Sequence, residues 1–429
     1  MKKKILVRGP ALSRSGYGEQ TRFALRALKR YQDKIDIFLI TTSWGATSWI
    51  TEDDEERQWI DGLLQKTLDY SHSSPNPSYD ASLQVTIPGE WEPLAPINIG
   101  YTAGVESTKI SPQWLEKTFL MNKIIVPSSH TKNVFESTEW PAQHQGKQIQ
   151  VTCKTPIDVV AFPAKEVEEE TIDLNLETDF NFLAVAQVSP RKNIFNTIKW
   201  FVEAFHDDDT VGMVVKLSMA KNCHIDKVNT KTNLQRLLAD FPDRKCKVYL
   251  LHGTLTEGQM KSLYTNDKIK AIVSTSHGEG FGLPLFEAAQ HGLPVVAPSW
   301  SGQKDFLFAP VTNKKTKKTK KRSLFTKVDY ELKPVQQEAV WDNVIIPQSL
   351  WCYPKQGSYT MALKKVHKDH SFAKSQAKKL QKHIVETFSE DKQYTAFVEA
   401  LGVSLSLDEN IEDVQAWFNE LNKNVETHT

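Results

Sequence analysis

The chain has 429 residues, with 53 Lys plus Arg against 52 Asp plus Glu, a formal net charge of +1, 40% hydrophobic residues and 24% charged residues. This balance excludes a largely disordered chain and a uniformly basic, histone-like protein, and at roughly 100–200 residues per domain it leads us to expect two or three domains. No apolar run approaches the roughly 18–20 residues that span a bilayer, and Ile5-Leu6-Val7 is too short for a signal-peptide core of about 7–15 residues. The expected location is cytoplasmic. Cys153, Cys223, Cys246 and Cys352 are widely spaced without a C-x-x-C, which fits a reducing compartment and no zinc site.

In chain order, "KKILVRG" reads as a buried strand and "PALSRSGYG" as a glycine loop. "EQTRFALRALKR" follows as a helix with Phe23, Ala24, Ala27 and Leu28 on one face. "IDIFLITT", "INIGYTA" and "KIIVPSS" are further strands, and Ser128 and Ser129 are candidate caps for the helix "HTKNVFEST". The acidic stretch "PAKEVEEETIDLNLETD" reads as a linker. A second alternation then begins: strand "FNFLAVAQ", amphipathic helix "NIFNTIKWFVEAF", strands "GMVVKLSM" and "KVYLLHG", a capping box Thr256-x-x-Gln259, strand "AIVSTS", helix "LPLFEAAQH" and strand "LPVVAP". Asp207-Asp208-Asp209 falls between a helix and a strand and reads as a solvated turn rather than a metal motif. The histidines form no H-x-x-x-H pair on a helix, so no metal site is expected.

Two successive alternations predict an α/β protein: two Rossmann-like domains with parallel sheets facing a central cleft, ligands lying at the carboxyl ends of the strands. The expected divisions are residues 1–165, a linker at 166–179, a second domain at 180–395, and helices at 396–429 packing back on the first domain. Residues 314–322, "KKTKKTKKR", are an insertion-like run of seven basic residues in nine. They read either as a solvated loop or as a contact for an anionic acceptor: nucleic acid, polysaccharide or membrane lipid.

The most informative stretch is "STSHGEGFGLPLFEAAQHGLPVVAP". A strand ends at Ser276, Gly278, Gly280 and Gly282 alternate, Pro284 opens a helix, and Gly292 closes it. A helix start of this kind attracts phosphate. Glu279 in the turn and Glu287 in the helix are eight positions apart, and a carboxylate accepts hydrogen bonds from the vicinal hydroxyls of a ribose or hexose. The pattern points to a phosphorylated, hydroxyl-rich ligand.

These residues resemble the E-x7-E signature of retaining glycosyltransferases with the GT-B fold, in particular glycosyltransferase family 4. The resemblance implies that Glu287 binds the nucleotide ribose, and that Glu279 and the backbone of Gly280, Phe281, Gly282, Leu283 and Pro284 hold the donor sugar. "LLHGTLTEGQ" resembles the family's loop beside the base, which implies roles for Thr254 and Leu255. "AVAQVSPRKN" resembles the diphosphate-binding loop: Lys192 matches the family's lysine, Gln187 stands where an arginine is usual, and Arg191 is the candidate replacement. "GPALSRSGYG" resembles the first loop, with Ser15, Gly16, Tyr17 and Gly18 near the donor phosphate. Glu106 stands where relatives present a polar residue to the acceptor. The implied reaction moves a hexose from a nucleotide-diphosphate sugar to a hydroxyl of a glycan or glycolipid with retention. It proceeds without a metal or other cofactor, and peripheral membrane contact is allowed. The alternatives are a transferase acting on nucleic-acid bases through the 314–322 run, a sugar-nucleotide epimerase, and a non-catalytic nucleic-acid binder. A dinucleotide dehydrogenase is disfavoured because "GPALSRSGYG" lacks the G-x-G-x-x-G spacing.

Overall fold

The computed structural model describes residues 2–144, 147–313 and 315–402. Among the described residues it divides into two compact units, the first formed within 2–163, 340–349 and 390–402, and the second within 164–339 and 350–389. The expected helix over "NIEDVQAWFNELNK" lies outside the described residues.

The first unit is built on six parallel strands: β1 (Lys3–Gly9), β2 (Ile35–Thr41), β3 (Ala81–Gln84), β4 (Ile97–Tyr101), β5 (Lys123–Val126) and, after the hairpin β6 (Glu139–His144) and β7 (Lys147–Thr152), β8 (Ile157–Val159). Their order is β2-β1-β3-β4-β5-β8. Helices α1 (Gly16–Lys29), α2 (Glu55–Ser73), α3 (Pro112–Thr118) and α4 (Ser129–Ser137) connect them. Each helix starts on a short polar cap, and Ser15, Asp54, Ser111 and Ser128 each accept a backbone N–H of the first turn. The tryptophans Trp91 and Trp114 are buried, while Trp49 stays exposed.

The second unit repeats the plan. Its strands are β9 (Phe180–Gln187), β10 (Val211–Ser218), β11 (Lys247–Leu251), β12 (Ile269–Val273), β13 (Val295–Pro298) and, after the hairpin β14 (Phe308–Thr312) and β15 (Thr319–Ser323), β16 (Thr326–Val328). The sheet order is β11-β10-β9-β12-β13-β16, all parallel. Strand order reverses between β9 and β12, the position at which such sheets open a ligand crevice. Both faces of this sheet are covered, which explains why "FNFLAVAQ" and "VGMVVKLS" are nearly continuous apolar runs. The helices are α5 (Ile194–Ala204), α6 (His224–Leu238), α7 (Glu257–Thr265), α8 (Leu283–Gln290) and α9 (Lys304–Leu307), then α10 (Gln356–Lys368) and α11 (His370–Thr387) after a second hairpin, β17 (Tyr330–Pro334) with β18 (Leu350–Pro354). Helix α5 buries Ile194, Ile198, Phe201 and Val202 on one stripe. The capping box at Thr256 and Gln259 is formed.

Three features differ from the sequence reading. Residues in the expected linker are held against α7: Lys261 Nζ donates to Val167 O at 2.7 Å, Thr256 Oγ1 donates to Glu170 Oε2 at 2.8 Å, and Ser262 Oγ donates to Glu170 O. The acidic composition that suggested a free segment instead supplies acceptors to one helix. Residues 340–349 leave the second unit between β17 and β18 and join the first, where Ser111 Oγ donates to Asn343 O at 2.7 Å. The basic run, read as a loop, forms the turn and return strand of the β14–β15 hairpin: Thr319 pairs in register with Thr312, and Lys320, Lys321 and Arg322 follow opposite Val311, Pro310 and Ala309.

After α11 the chain returns to the first unit as α12 (Glu390–Ala400), whose Phe397 packs edge-on to Phe23 at 5.3 Å and against Tyr101 at 5.2 Å. Arg30 lies over the Tyr394 ring at 4.4 Å and pairs with Asp391 at 2.7 Å. No helix of the described residues is long and apolar enough to cross a membrane.

Candidate active site

The site begins at the carboxyl ends of β9 and β12. After β9 the chain makes a single 3-10 turn over Pro190–Lys192 and enters α5 through Asn193, whose φ of 52° is left-handed. Asparagine tolerates that conformation, and its amide is locked by donating to Thr275 O at 3.2 Å and Thr275 Oγ1 at 3.0 Å. Thr197 and Thr275 share a further hydroxyl hydrogen bond of 2.6 Å. His277 N donates to Arg191 O at 2.8 Å. These bonds fix the Arg191–Lys192 turn to the loop that follows β12.

That loop carries Glu279, which is 8% exposed. Lys192 Nζ donates to Glu279 Oε1 at 2.6 Å, and Arg191 Nη1 donates to Glu279 Oε2 at 3.2 Å and to Gly278 O at 2.6 Å. Burial works to raise the Glu279 pKa, but the Lys192 ammonium and the Arg191 guanidinium overcome it and hold it at about 2. The carboxyl is therefore an anion at neutral pH, an acceptor of hydroxyl hydrogen bonds and a poor proton source. Gln187, at the position where the family usually has arginine, is turned to donate to Met219 O at 3.2 Å.

Gly282, with φ of 100°, starts α8, and Pro284 lies in the first turn. The Phe281 ring is buried against Phe286 at 5.1 Å and Phe306 at 5.2 Å, so at this residue only the backbone faces the turn's function. A small cavity of about 20 Å³ opens here, lined by residues that include Lys192, Thr197, Thr275, Glu279, Gly282 and Leu285. One turn into α8, Glu287 accepts from Tyr264 Oη at 2.9 Å. Burial, reinforced by Glu287, pushes the Tyr264 phenol well above its usual range, so it stays a donor and orients that carboxylate.

The Glu279 turn rests on the segment after β13. Glu279 N donates to Ser301 Oγ at 2.9 Å, Ser301 Oγ donates to Gln303 Oε1 at 3.1 Å, and Gln303 Nε2 donates to Pro298 O at 3.2 Å. Ser301 has φ of 60°, a left-handed conformation that costs a non-glycine residue about 1–2 kcal/mol. Gly302 N donates to Glu279 O at 2.9 Å, and a Cβ on Gly302 would lie 2.0 Å from Gly280 O. Because that obstacle is backbone, Gly302→Ala is expected to cost roughly 2–4 kcal/mol, read as a lowered melting temperature. His277, from the same loop, is tied to β18: its Nδ1 lies 2.7 Å from Cys352 O, and its ring stacks on Trp351 at 5.5 Å. Burial keeps this imidazole below its ordinary pKa.

The structure thus brings together Arg191, Lys192, Glu279 and the turn over residues 280–283, with Glu287 on the following helix. Thr254 and Leu255 lie beyond β11, at the opposite edge of the sheet order from β16, in a loop where Lys216 Nζ donates to Gly253 O at 2.7 Å. Gly16, Tyr17, Gly18 and Glu106 belong to the first unit. There Gly18 serves the packing of its own loop, since a Cβ would lie 1.9 Å from Ser13 O, whereas Gly16 is exposed with open space around it. Tyr17 is buried, tilted against Trp44 with ring centroids 4.3 Å apart and hydrogen-bonded through its Oη to Thr102 Oγ1 at 2.7 Å. Glu106 is half-buried in the loop after β4. Asp208 closes a local turn by accepting Thr210 N at 3.0 Å. Among the described residues no cluster of His, Cys, Asp or Glu could hold a metal ion.

Sequence reasoning missed Tyr264, Ser301, Gly302 and Gln303. The signal for the last three was "SWSGQ" directly after the strand "LPVVAP", small and polar residues at the carboxyl end of a parallel strand.

Two six-stranded parallel sheets, one carrying this charged turn, define the GT-B fold. A sucrose-phosphate synthase from Thermosynechococcus elongatus matches with a TM-score of 0.58 at 13% identity, over 94% of this chain and 98% of that one. HepE of Anabaena, solved in complex with UDP-glucose, matches with a TM-score of 0.53 at 14% identity, over 94% of this chain and 100% of that one. In sequence, residues 264–397, which include α8 and Glu279, match a family described as "Family 4 Glycosyltransferase in conflict systems". Over 116 residues, 27% of this chain, it is 29% identical to the serotype-specific mannosyltransferase WbdA of Escherichia coli, and the match spans 13% of that protein's length. The fold is thus GT-B, and residues 264–397 are similar to family-4 glycosyltransferases.

Proposed function

We propose that this protein transfers a hexose from a nucleotide-diphosphate sugar to a hydroxyl of a glycan or glycolipid, with retention of anomeric configuration. The single observation that carries the reading is the buried Glu279 carboxylate held between Lys192 and Arg191 at the mouth of the β9–β12 crevice. As the donor's anomeric bond breaks, negative charge builds on the β-phosphate. Lys192, Arg191 and the positive end of α8 stabilise that charge with no reorganisation. Glu279, ionised throughout, accepts hydrogen bonds from sugar hydroxyls, and Glu287, steadied by Tyr264, accepts them from the ribose. The acceptor hydroxyl attacks from the face the leaving group departs, and its proton passes to the departing phosphate, so no protein base is required. In this reading the cations take the part a metal ion plays elsewhere, the acceptor falls to the first unit with Glu106 on its side, and the loop at Ser15–Gly18 serves the donor phosphate. HepE, solved with UDP-glucose, and the mannosyltransferase WbdA lend support to a nucleotide-sugar donor and a glycan product.

The test is a thermal-shift screen with UDP-, GDP-, ADP- and dTDP-sugars. A donor at a hundred times its Kd adds about 2.7 kcal/mol of stability, so one nucleotide should stand out. Glu287→Ala should weaken that donor by about tenfold to a hundredfold, from the loss of charge-assisted ribose contacts worth roughly 1.5–3 kcal/mol. Unchanged donor affinity in Glu287→Ala would remove the ribose assignment, and consumption of the donor to an isomeric nucleotide sugar in the absence of acceptor would favour an epimerase.

A further inference from the structure

The β14–β15 hairpin concentrates positive charge that the donor site does not use. Lys315, Lys317 and Lys318 in its turn and Lys320, Lys321 and Arg322 on β15 are all exposed, and among the described residues none of the six forms an ion pair. On the neighbouring hairpin, by contrast, Lys333 and Lys355 both pair with Glu331 at 2.8 and 2.9 Å. The register sets Lys320 and Arg322 opposite Val311 and Ala309 on one face, and Lys321 opposite Pro310 on the other. Cations therefore line both faces and the tip. The tip is built rather than loose: Asn313 Oδ1 accepts Lys315 N at 2.9 Å and Thr316 N at 3.1 Å, and the Thr312 and Thr319 hydroxyls are 2.9 Å apart.

An uncompensated cationic array of this density matches a polymer with closely spaced fixed anions. The major groove of B-DNA, about 12 Å wide, admits a two-stranded β-ribbon, and duplex phosphates recur every 3.4 Å or so along each strand's axis. The tip residues Asn313, Lys315, Thr316, Lys317 and Lys318 include no aliphatic or aromatic side chain, so the tip lacks the apolar anchor that stable attachment to a bilayer requires beside basic charge. We infer that this ribbon docks the protein on double-stranded DNA through the phosphate backbone. Lysines without base-reading partners make the contact independent of sequence. The inference concerns docking alone and does not depend on the nucleotide-sugar reading.

The test titrates the full chain against a fluorescein-labelled DNA duplex, followed by anisotropy over a series of KCl concentrations. Binding should weaken linearly on a log–log plot of affinity against salt. The variant Lys318→Gln, Lys320→Gln, Lys321→Gln, Arg322→Gln should bind tenfold or more weakly, with the slope reduced by about 0.9 for each phosphate that is no longer neutralised. Its melting temperature and its thermal shift with the nucleotide sugar should equal those of the wild type. Should that variant melt lower, the turn variant Lys315→Gln, Lys317→Gln, Lys318→Gln, outside the strand ladder, must give the same reduction in slope. Absence of duplex binding at low salt, an unchanged slope in both variants, or binding to phosphatidylserine vesicles in preference to DNA would each overturn the inference.

Discussion

Lys192→Ala is expected to lower kcat for sugar transfer by about 10²–10³-fold, the usual cost of removing one fixed group that meets charge developing in the transition state. The ammonium sits 2.6 Å from Glu279 Oε1, on a 3-10 turn locked to Thr275 through Asn193, so it is aimed before the donor arrives. KM should rise less than kcat falls, because the charge grows most as the phosphate departs. Lys192→Arg should recover part of the rate, since the charge returns while the short contact to Glu279 does not. Equal losses from both substitutions, or a change in KM alone, would remove the leaving-group role from this residue.

Glu279→Gln is expected to abolish measurable transfer and also to destabilise the second unit by about 2–3 kcal/mol. Deleting one partner of a buried ion pair costs roughly 3–5 kcal/mol, and here Lys192 and Arg191 keep 16% and 23% side-chain exposure, which moderates the penalty. Because the folded carboxyl titrates at about 2 rather than at its ordinary 4.5, its stabilisation is complete above pH 4.5 and is lost as the pH falls towards 2. The variant should therefore lose less stability than the wild type over that acid range, which denaturant midpoints at pH 2.5 and pH 6 would compare. Glu279→Ala should differ from Glu279→Gln chiefly in stability, since neither can accept two hydroxyls as an anion.

Much of this site was legible in the sequence because its parts are local. The strand, the glycine turn, Pro284 and the pair of acids lie within one short stretch, and spacing alone sets them at a strand's carboxyl end. The resemblance implied that Lys192, Arg191 and Glu279 serve one donor, but the ion pairs among them were not legible, as they join the turn after β9 to the loop after β12. The bond from Tyr264 on α7 to Glu287 on α8 and the acceptance of Glu279 N by Ser301 were not legible, because which helices and loops meet at the end of a parallel sheet depends on strand order rather than on sequence neighbourhood. The same limit applies to the fold. The two alternations read directly, whereas the departure of residues 340–349 and the fastening of the acidic stretch to α7 rest on contacts between distant segments. Gly18 is instructive: a glycine in a loop suggests ligand approach, yet here the close neighbour is Ser13 O of its own loop.

The return of α12 has a consequence for biosynthesis. Phe23 and Tyr101 receive Phe397 as their packing partner, so the first unit cannot seal its interior until the chain has been made beyond residue 397. A fragment ending at Pro163 would expose an aromatic hollow in place of that plug, which makes the first unit a poor candidate for expression alone. A chain truncated before Glu390 would leave an intact second unit attached to an unfinished first one.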